Sequence, residues 1–325
     1  MSTLAAERTL DAHKYPVLTL PNEITSEIFL HFLPVYPQCP PVAGLHSPTN
    51  LTLICRKWRA IALATPTLWR AVYLSLETGF PFVQQIHIFD IWLHRSLRYP
   101  ISVTVKENDH STVARNFVFS SAQCARLEYL KITLILMDPP FLGLAGPMPL
   151  LHHLELVFEN MHDPDPIIFG EAPLLRSVVL NDNAASIFVL PWAQLTSLTL
   201  DHVWLHECVP VLQQTSNLVY CKLNLLPYNS GAVWWPDVTL SCLKSLSLVP
   251  GGDDKEIKYL ETIIVPALRE LQIEEEILEN PIGTLESFIS KSGCRSRAFP
   301  SVKFSFDEKF VREGADMLDV GESPS

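Results

Sequence analysis

The sequence predicts an α/β solenoid, and three observations carry that prediction. A Leu-x-x-Leu-x-Leu pattern, with aliphatic residues or Cys as replacements, starts at Leu127, Leu151, Leu175, Leu195, Leu218, Leu243 and Leu268. Successive starts lie 24, 24, 20, 23, 25 and 25 residues apart, inside the period of about 20 to 29 residues in which a short strand and a helix or loop make one turn of a horseshoe. Ahead of this array, residues 20–74 hold two stretches whose apolar side chains recur at three- and four-residue steps, a helical spacing. Hydrophobic residues make up 48% of the 325-residue chain and charged ones 18%, a balance that suits a packed core rather than disorder.

Taken in order, residues 1–16 read as a disordered terminus. Pro21 fits a first helical turn, where its missing N–H is not needed. Ile24, Ile28 and Phe32, with Phe29 and Leu33 beside them, then form one predicted apolar stripe, with Glu27 and His31 outside it. Residues 34–49 contain Pro34, Pro37, Pro40, Pro41 and Pro48, a density that neither a helix nor a sheet interior accepts, so an exposed loop is expected there. Ser47-Pro48 is an N-cap followed by Pro at the first helical position. From it Leu51, Ile54, Cys55, Trp58, Ile61 and Ala62 recur along one face, while Arg56, Lys57 and Arg59 take the other. One helix is predicted from this start to Thr65-Pro66, because the residue before a proline is pushed out of the α region. Leu68 and Trp69 lead into the alternating strand AVYLSL.

The segments LPNEITSEIFLHFLP and LTLICRKWRAIALATPTLW together resemble the F-box, a helical docking module, through Leu20, Pro21, Glu23, Ile24, Ile28, Phe29, Cys55, Arg56, Trp58, Arg59, Pro66, Leu68 and Trp69 in order. Thr25 stands where the family usually carries an apolar residue, and the insertion 34–49 is similar to those of fungal members. The resemblance implies an F-box-like module over 17–74 that docks an SKP-type adaptor, and through it a cullin, with Leu20, Pro21, Ile24, Ile28, Leu53, Cys55, Trp58, Leu68 and Trp69 as the adaptor-binding residues.

The following region, 75–311, resembles a leucine-rich-repeat domain through the seven in-register motifs. Val83, Ile86, Phe89, Leu93 and Leu97 place a helix before the strand ISVTV, and ITLIL from Ile132 alternates as a strand does rather than as a membrane span, since four prolines and Asp138 interrupt 132–151. A last helix, IGTLESFISKSG, precedes the strand FPSVKFSF. Three residues past the last leucine of each motif, Asn occurs only as Asn183, so the predicted horseshoe is irregular. Its N-terminal end needs a cover, which the F-box-like helices are placed to give. Residues 312–325 read as an acidic disordered tail.

Strand geometry turns the leucines inward and aligns the intervening residues in columns. One runs Tyr129, His153, Ser177, Ser197, Tyr220, Ser245, Glu270; the next Lys131, Glu155, Val179, Thr199, Lys222, Ser247, Gln272; a third ends in Asn181, Asp201, Asn224, Val249, Glu274. Tyr129, Lys131, His153, Glu155, Tyr220, Lys222, Glu270 and Gln272 are the candidate target-binding residues, with Tyr129 and Tyr220 as anchors because tyrosine is enriched in interface hot spots. Trp234-Trp235 is a second candidate patch, and the acidic run Glu274 to Glu276 favours a basic target at that end.

Chemistry is sparse. His152-His153 straddle a strand and face opposite sides, and His162, Asp163 and Asp165 fall in a proline-broken loop, so no metal site is expected. Asp253-Asp254 after Gly251-Gly252 reads as a turn. No GxSxG, HExxH, phosphate loop or GxGxxG is present, and no enzyme activity or cofactor is expected. A net charge of −11 argues against nucleic-acid binding. Seven widely spaced cysteines make neither a metal pair nor a disulfide framework and read as reduced, buried thiols. The first residues lack the basic start and apolar core of a secretory signal, so an intracellular protein of cytoplasm or nucleus is expected. The sequence therefore predicts a substrate-recognition adaptor of an SKP–cullin–F-box type ubiquitin ligase that binds an unidentified target protein, or else a non-catalytic scaffold whose F-box-like helices only cap the solenoid.

Overall fold

The computed structural model describes residues 16–75, 81–106, 119–135, 146–159, 167–169, 171–226, 236–250, 259–274, 281–293 and 301–305. It is an α/β protein with parallel strands, in two compact units, Met1–Leu175 and Arg176–Ser325. The termini assigned to disorder, Trp234-Trp235, Asp253-Asp254, His162, Asp163, Asp165, Glu275 and Glu276 lie outside the described residues, apart from Pro16.

The first unit opens with a short 3₁₀ turn, Pro16–Thr19, and three helices, α1 (Asn22–Phe32), α2 (Pro48–Ile54) and α3 (Arg56–Leu63). The stripe expected on α1 is rotated. Thr25 and Phe29 are buried at 1% exposure each, whereas Ile24 and Ile28 point outward at 51% and 45%. Thr25 can stand where an apolar residue was expected because its hydroxyl donates to the carbonyl of Pro21 at 3.0 Å, leaving no buried polar group unpaired. Phe29 lies 4.9 Å from Trp58, ring to ring, which fastens α1 to α3. The single helix expected over 48–64 is in fact two. Cys55 is extended, at φ −157°, and its Sγ accepts the N–H of Trp58 as the N-cap of α3. The Arg59 guanidinium spans the break by donating to the Thr52 carbonyl at 2.7 Å, one of the groups that a helix end leaves open.

After a 3₁₀ turn at Pro66–Trp69 come the strands β1 (Ala71–Ser75), β2 (Ile101–Lys106), β3 (Leu127–Ile135) and β4 (His153–Glu159), with α4 (Phe82–Arg95) and the short α5 (Ser121–Cys124) between them. The four strands pair in parallel in chain order. Their inward residues Val72, Leu74, Val103, Val105, Leu130, Ile132, Leu154 and Leu156 are buried. On α4 the buried positions are Gln85, Phe89, Trp92 and Leu93, so Val83 and Leu97, expected to join Phe89, are exposed instead. Gln85 is buried because its amide acts as a strand partner: it accepts the Ser75 N–H at 2.9 Å and donates to the Ser75 carbonyl at 2.6 Å.

In the second unit β5 (Ser177–Asn181), α6 (Asp182–Ile187), β6 (Ser197–Val203), α7 (Leu205–Leu212), β7 (Tyr220–Leu225), β8 (Ser245–Pro250), α8 (Tyr259–Thr262), β9 (Glu270–Glu274), α9 (Pro281–Ser292) and β10 (Ser301–Ser305) follow in sequence. Here too the strands pair in parallel in chain order. Asn181 caps α6 through its Oδ1, accepting the Ala184 N–H. Cys208 and Cys221 are buried, but Cys242 is exposed, contrary to expectation.

The proline-rich insertion differs most from the sequence reading. It is an exposed loop only in part, at Val35, Gln38 and residues 43–46, while Pro40 and Val42 are buried. Pro41 forms a parallel bridge with Tyr73, whose N–H donates to the Pro40 carbonyl at 3.2 Å, and Val42 is 3% exposed. Proline is tolerated at a sheet edge, and β1 is the terminal strand of its order, so residues 40–42 cover backbone groups that an edge leaves open.

The two faces of α1 should separate in stability measurements. Phe29→Ala is expected to lower the unfolding free energy by about 3 to 5 kcal/mol. Ile24→Ala and Ile28→Ala are expected to change it by less than about 1 kcal/mol each. Denaturant titration followed by tryptophan fluorescence checks both, and equal losses would mean that the helix is packed the other way round.

Candidate functional site

Two surfaces of the first unit and one of the second collect the residues singled out from sequence. On the helices, Pro21, Ile24, Ile28 and Leu53 are exposed, and Leu53 reaches 67%. Leu20 is half-buried at the start of α1, where Lys57 Nζ donates to the Leu18 and Leu20 carbonyls at 2.6 and 2.9 Å. Cys55 and Trp58 are half-buried and do structural tasks, a cap and a ring contact. Leu68 and Trp69 cannot be contact residues in this structure, being 1% and 0% exposed. The Trp69 indole N–H donates to the Ala62 carbonyl at 2.9 Å, its ring meets Trp92 edge-on at 5.6 Å, and Arg95 sits 4.5 Å over it. They form the floor beneath the helices. Ile54, exposed at 59%, joins the outward set that the sequence assigned to the core face.

On the strand face of the first unit the expected alignment holds: Tyr129 is opposite His153 and Lys131 opposite Glu155. Lys131 and Glu155 form an ion pair at 2.7 Å, and the rings of Tyr129 and His153 are 6.2 Å apart. Burial, opposed by the charge of Glu155 and reinforced by that of Lys131, shifts His153 below its ordinary range and favours the neutral ring. A residue of the insertion joins this group. Tyr36 lies edge-on to Tyr129 at 5.7 Å, donates its hydroxyl to Glu128 at 2.6 Å, and carries the Arg70 guanidinium 3.6 Å over its ring. Beside it the Ser102 hydroxyl donates to the Pro37 carbonyl at 2.7 Å, and the Cys39 thiol meets the Ser102 carbonyl and hydroxyl at 3.4 and 3.3 Å. Sequence reasoning missed Tyr36 because nothing in the proline pattern says where the segment lies.

In the second unit the first two columns are in register as Ser177–Ser197–Tyr220–Ser245–Glu270 and Val179–Thr199–Lys222–Ser247–Gln272. Tyr220 is 58% exposed, and Lys222 and Gln272 are exposed beside it. The third column keeps Asn181 opposite Asp201 and Asn224 opposite Val249, with an interruption between Asp201 and Asn224. The register of β6 against β7 shifts between Leu200 and Val203, and His202 takes a left-handed φ of 52°. The Asn224 amide donates to Asp201, which also pairs with the His202 ring at 3.2 Å. Bulges re-aim side chains, and this one turns His202 outward.

Among the described residues no group of three His, Cys, Asp or Glu side chains is placed to hold a metal ion. Among the described residues no helix is long and apolar enough to cross a membrane. Comparison of the chain with family models, curated protein sequences and solved structures finds no match.

Burial, followed by the hydrogen bond and charge of Glu128, raises the Tyr36 phenol far above its ordinary value of 10.0. A group whose native-state value is raised stabilises the fold fully below its unfolded value and loses that contribution as pH climbs past it. The wild-type melting temperature should therefore fall more steeply above about pH 10 than that of Tyr36→Phe, while the two run parallel at lower pH. Thermal melts over this range check it, and identical slopes would show that the native structure does not raise the Tyr36 phenol.

Proposed function

We propose that the chain is a non-catalytic substrate-recognition adaptor of an SKP–cullin–F-box type ubiquitin ligase, working inside the cell, with α1 as the docking helix and the strand face of an irregular leucine-rich-repeat horseshoe as the target surface. One observation carries the reading. Ile24 and Ile28, which match the family pattern, are large apolar side chains one turn apart and turned to solvent, while Thr25 and Phe29 hold the helix from behind. Apolar anchors left outward at helical spacing are what a helix-docking partner covers. Exposed Pro21 and Leu53 extend the set. Target contact then falls to the exposed Tyr220, Lys222 and Gln272 of the second unit and to the Tyr129, Lys131, His153, Glu155 group of the first, with Glu270 at the end of its column. Burial of Leu68 and Trp69 favours the second reading, a scaffold whose helices are bound into their own unit and dock nothing.

Affinity capture separates the two. The wild-type chain is expected to retain an SKP-type adaptor and its cullin. Ile24→Ala/Ile28→Ala, folded as judged by its melting curve, is expected to lose about 2 kcal/mol or more of adaptor binding. Wild-type affinity in that double variant, or no capture by the wild-type chain, contradicts the adaptor reading.

A further inference from the structure

Acidic residues stop at Glu27 and resume only at Glu77, although the chain carries 35 of them and a net charge of −11. Inside that gap lies α3, which opens with Arg56, Lys57 and Arg59 and has no acidic residue in its first turn. Cations at that end oppose the helix dipole, so they cost the helix stability rather than adding to it. Lys57 is occupied by the Leu18 and Leu20 carbonyls. Arg56 and Arg59 are exposed, and no carboxylate among the described residues pairs with either. The two belong to one surface. Arg56, Arg59, Ala60 and Leu63 stand at helical steps of three, four and seven residues and are all exposed, while Ile61 and Ala62 face inward. Leu53 and Ile54, exposed at the end of α2, extend the stripe. The bond from Arg59 Nε to the Thr52 carbonyl holds that guanidinium at the end of α2 and leaves Nη1 and Nη2, a pair that matches a carboxylate, for an outside acceptor. A head group already held in place loses less freedom on docking.

We infer that the outer face of α3, with the end of α2, docks a protein surface that sets carboxylates around apolar side chains, and that Arg56 and Arg59 select it. The inference rests on the reading of these helices as a docking module and adds the chemistry of the partner at this stripe. Leu53, Ile54 and Leu63 supply the apolar contact, and arginine set among apolar anchors is what interface hot spots favour. A nucleic acid or an anionic membrane fits less well. Either asks for a run of cations against successive phosphates, whereas here two arginines stand among apolar side chains in a strongly acidic chain.

Binding of a purified SKP-type adaptor to the full chain is measured at low salt and at about 0.15 M, where screening shortens to about 8 Å. Arg56→Glu, folded as judged by its melting curve, is expected to bind about tenfold or more weakly than wild type at low salt, with the ratio shrinking at the higher one. Arg98→Glu, which changes the net charge equally at an exposed arginine outside the stripe, is expected to bind as wild type does. Equal affinity in wild type and Arg56→Glu, or equal losses in the two variants, overturns the inference and leaves the adaptor reading standing. No capture by the wild-type chain removes the adaptor reading, and synthetic amphipathic helical peptides then decide the inference: one has leucine on one face flanked by glutamate, and its matched version has glutamine in place of glutamate. Wild type is expected to prefer the glutamate peptide about tenfold and Arg56→Glu to show no preference. Equal affinity of wild type for both peptides, or tighter binding of a DNA duplex or of phosphatidylserine vesicles than of the glutamate peptide, overturns the inference.

Discussion

A sheet edge leaves backbone groups unpaired, and in the first unit that constraint organises the elements around β1. The strand is buried on one side by Val72 and Leu74 and pairs with β2, but its outer edge exposes the N–H of Tyr73 and its last residue exposes both backbone groups of Ser75. Unpaired backbone in a buried setting costs about 1 to 3 kcal/mol per group. Two non-strand elements answer the need. The Gln85 amide closes Ser75, and the insertion closes Tyr73 through the Pro40 carbonyl. Because the insertion joins α1 to α2, the same contacts that finish the sheet also attach the helices to it.

The docking face proposed for α1 follows from this attachment. With Phe29 against Trp58 and the start of the helix held by Lys57, only one side of α1 can face the unit, and Thr25 shares that side. Ile24 and Ile28 are then turned outward by helical geometry, not by any preference of their own. Trp69 and Leu68 underneath are fixed by packing on Trp92 and the Ala62 carbonyl, which is why the module presents α1 and the end of α2 rather than the Pro-x-Leu-Trp turn.

Much of the strand layout was legible in the sequence. Leucines with a period near 24 placed β3 to β9, and simple alternation gave the pairings of Tyr129 with His153 and of Tyr220 with Ser245, because a one-residue slip would have turned buried leucines to solvent. The failures have particular causes. The stripe on α1 was drawn through Ile24, Ile28 and Phe32, since composition cannot tell an apolar face meant for the core from one left outward; Thr25, whose hydroxyl is satisfied within its own helix, hid the true inner face. The break at Cys55 escaped because apolar spacing continues across it, and the cap is a thiol rather than a usual Ser or Asp. The bulge after Leu200, which turns His202 outward, leaves no periodic mark, although Asp201 and Asn224 stay neighbours as their column predicts. The insertion was read from proline chemistry, which correctly excludes helix and interior strand but is silent on a segment that accepts hydrogen bonds at an edge.

Amide hydrogen exchange at Tyr73 tests the central claim most directly, that residues 36–42 are a structural part of the first unit. Tyr73 N–H has the Pro40 carbonyl as its acceptor, whereas the Ser102 N–H beside it is paired with the Arg70 carbonyl inside the unit. The account predicts that Tyr73 and Ser102 amides are both protected, within about tenfold of each other, as members of one cooperative unit. Rapid exchange at Tyr73 with Ser102 still protected would mean that the insertion is loose on the sheet, and would contradict the account.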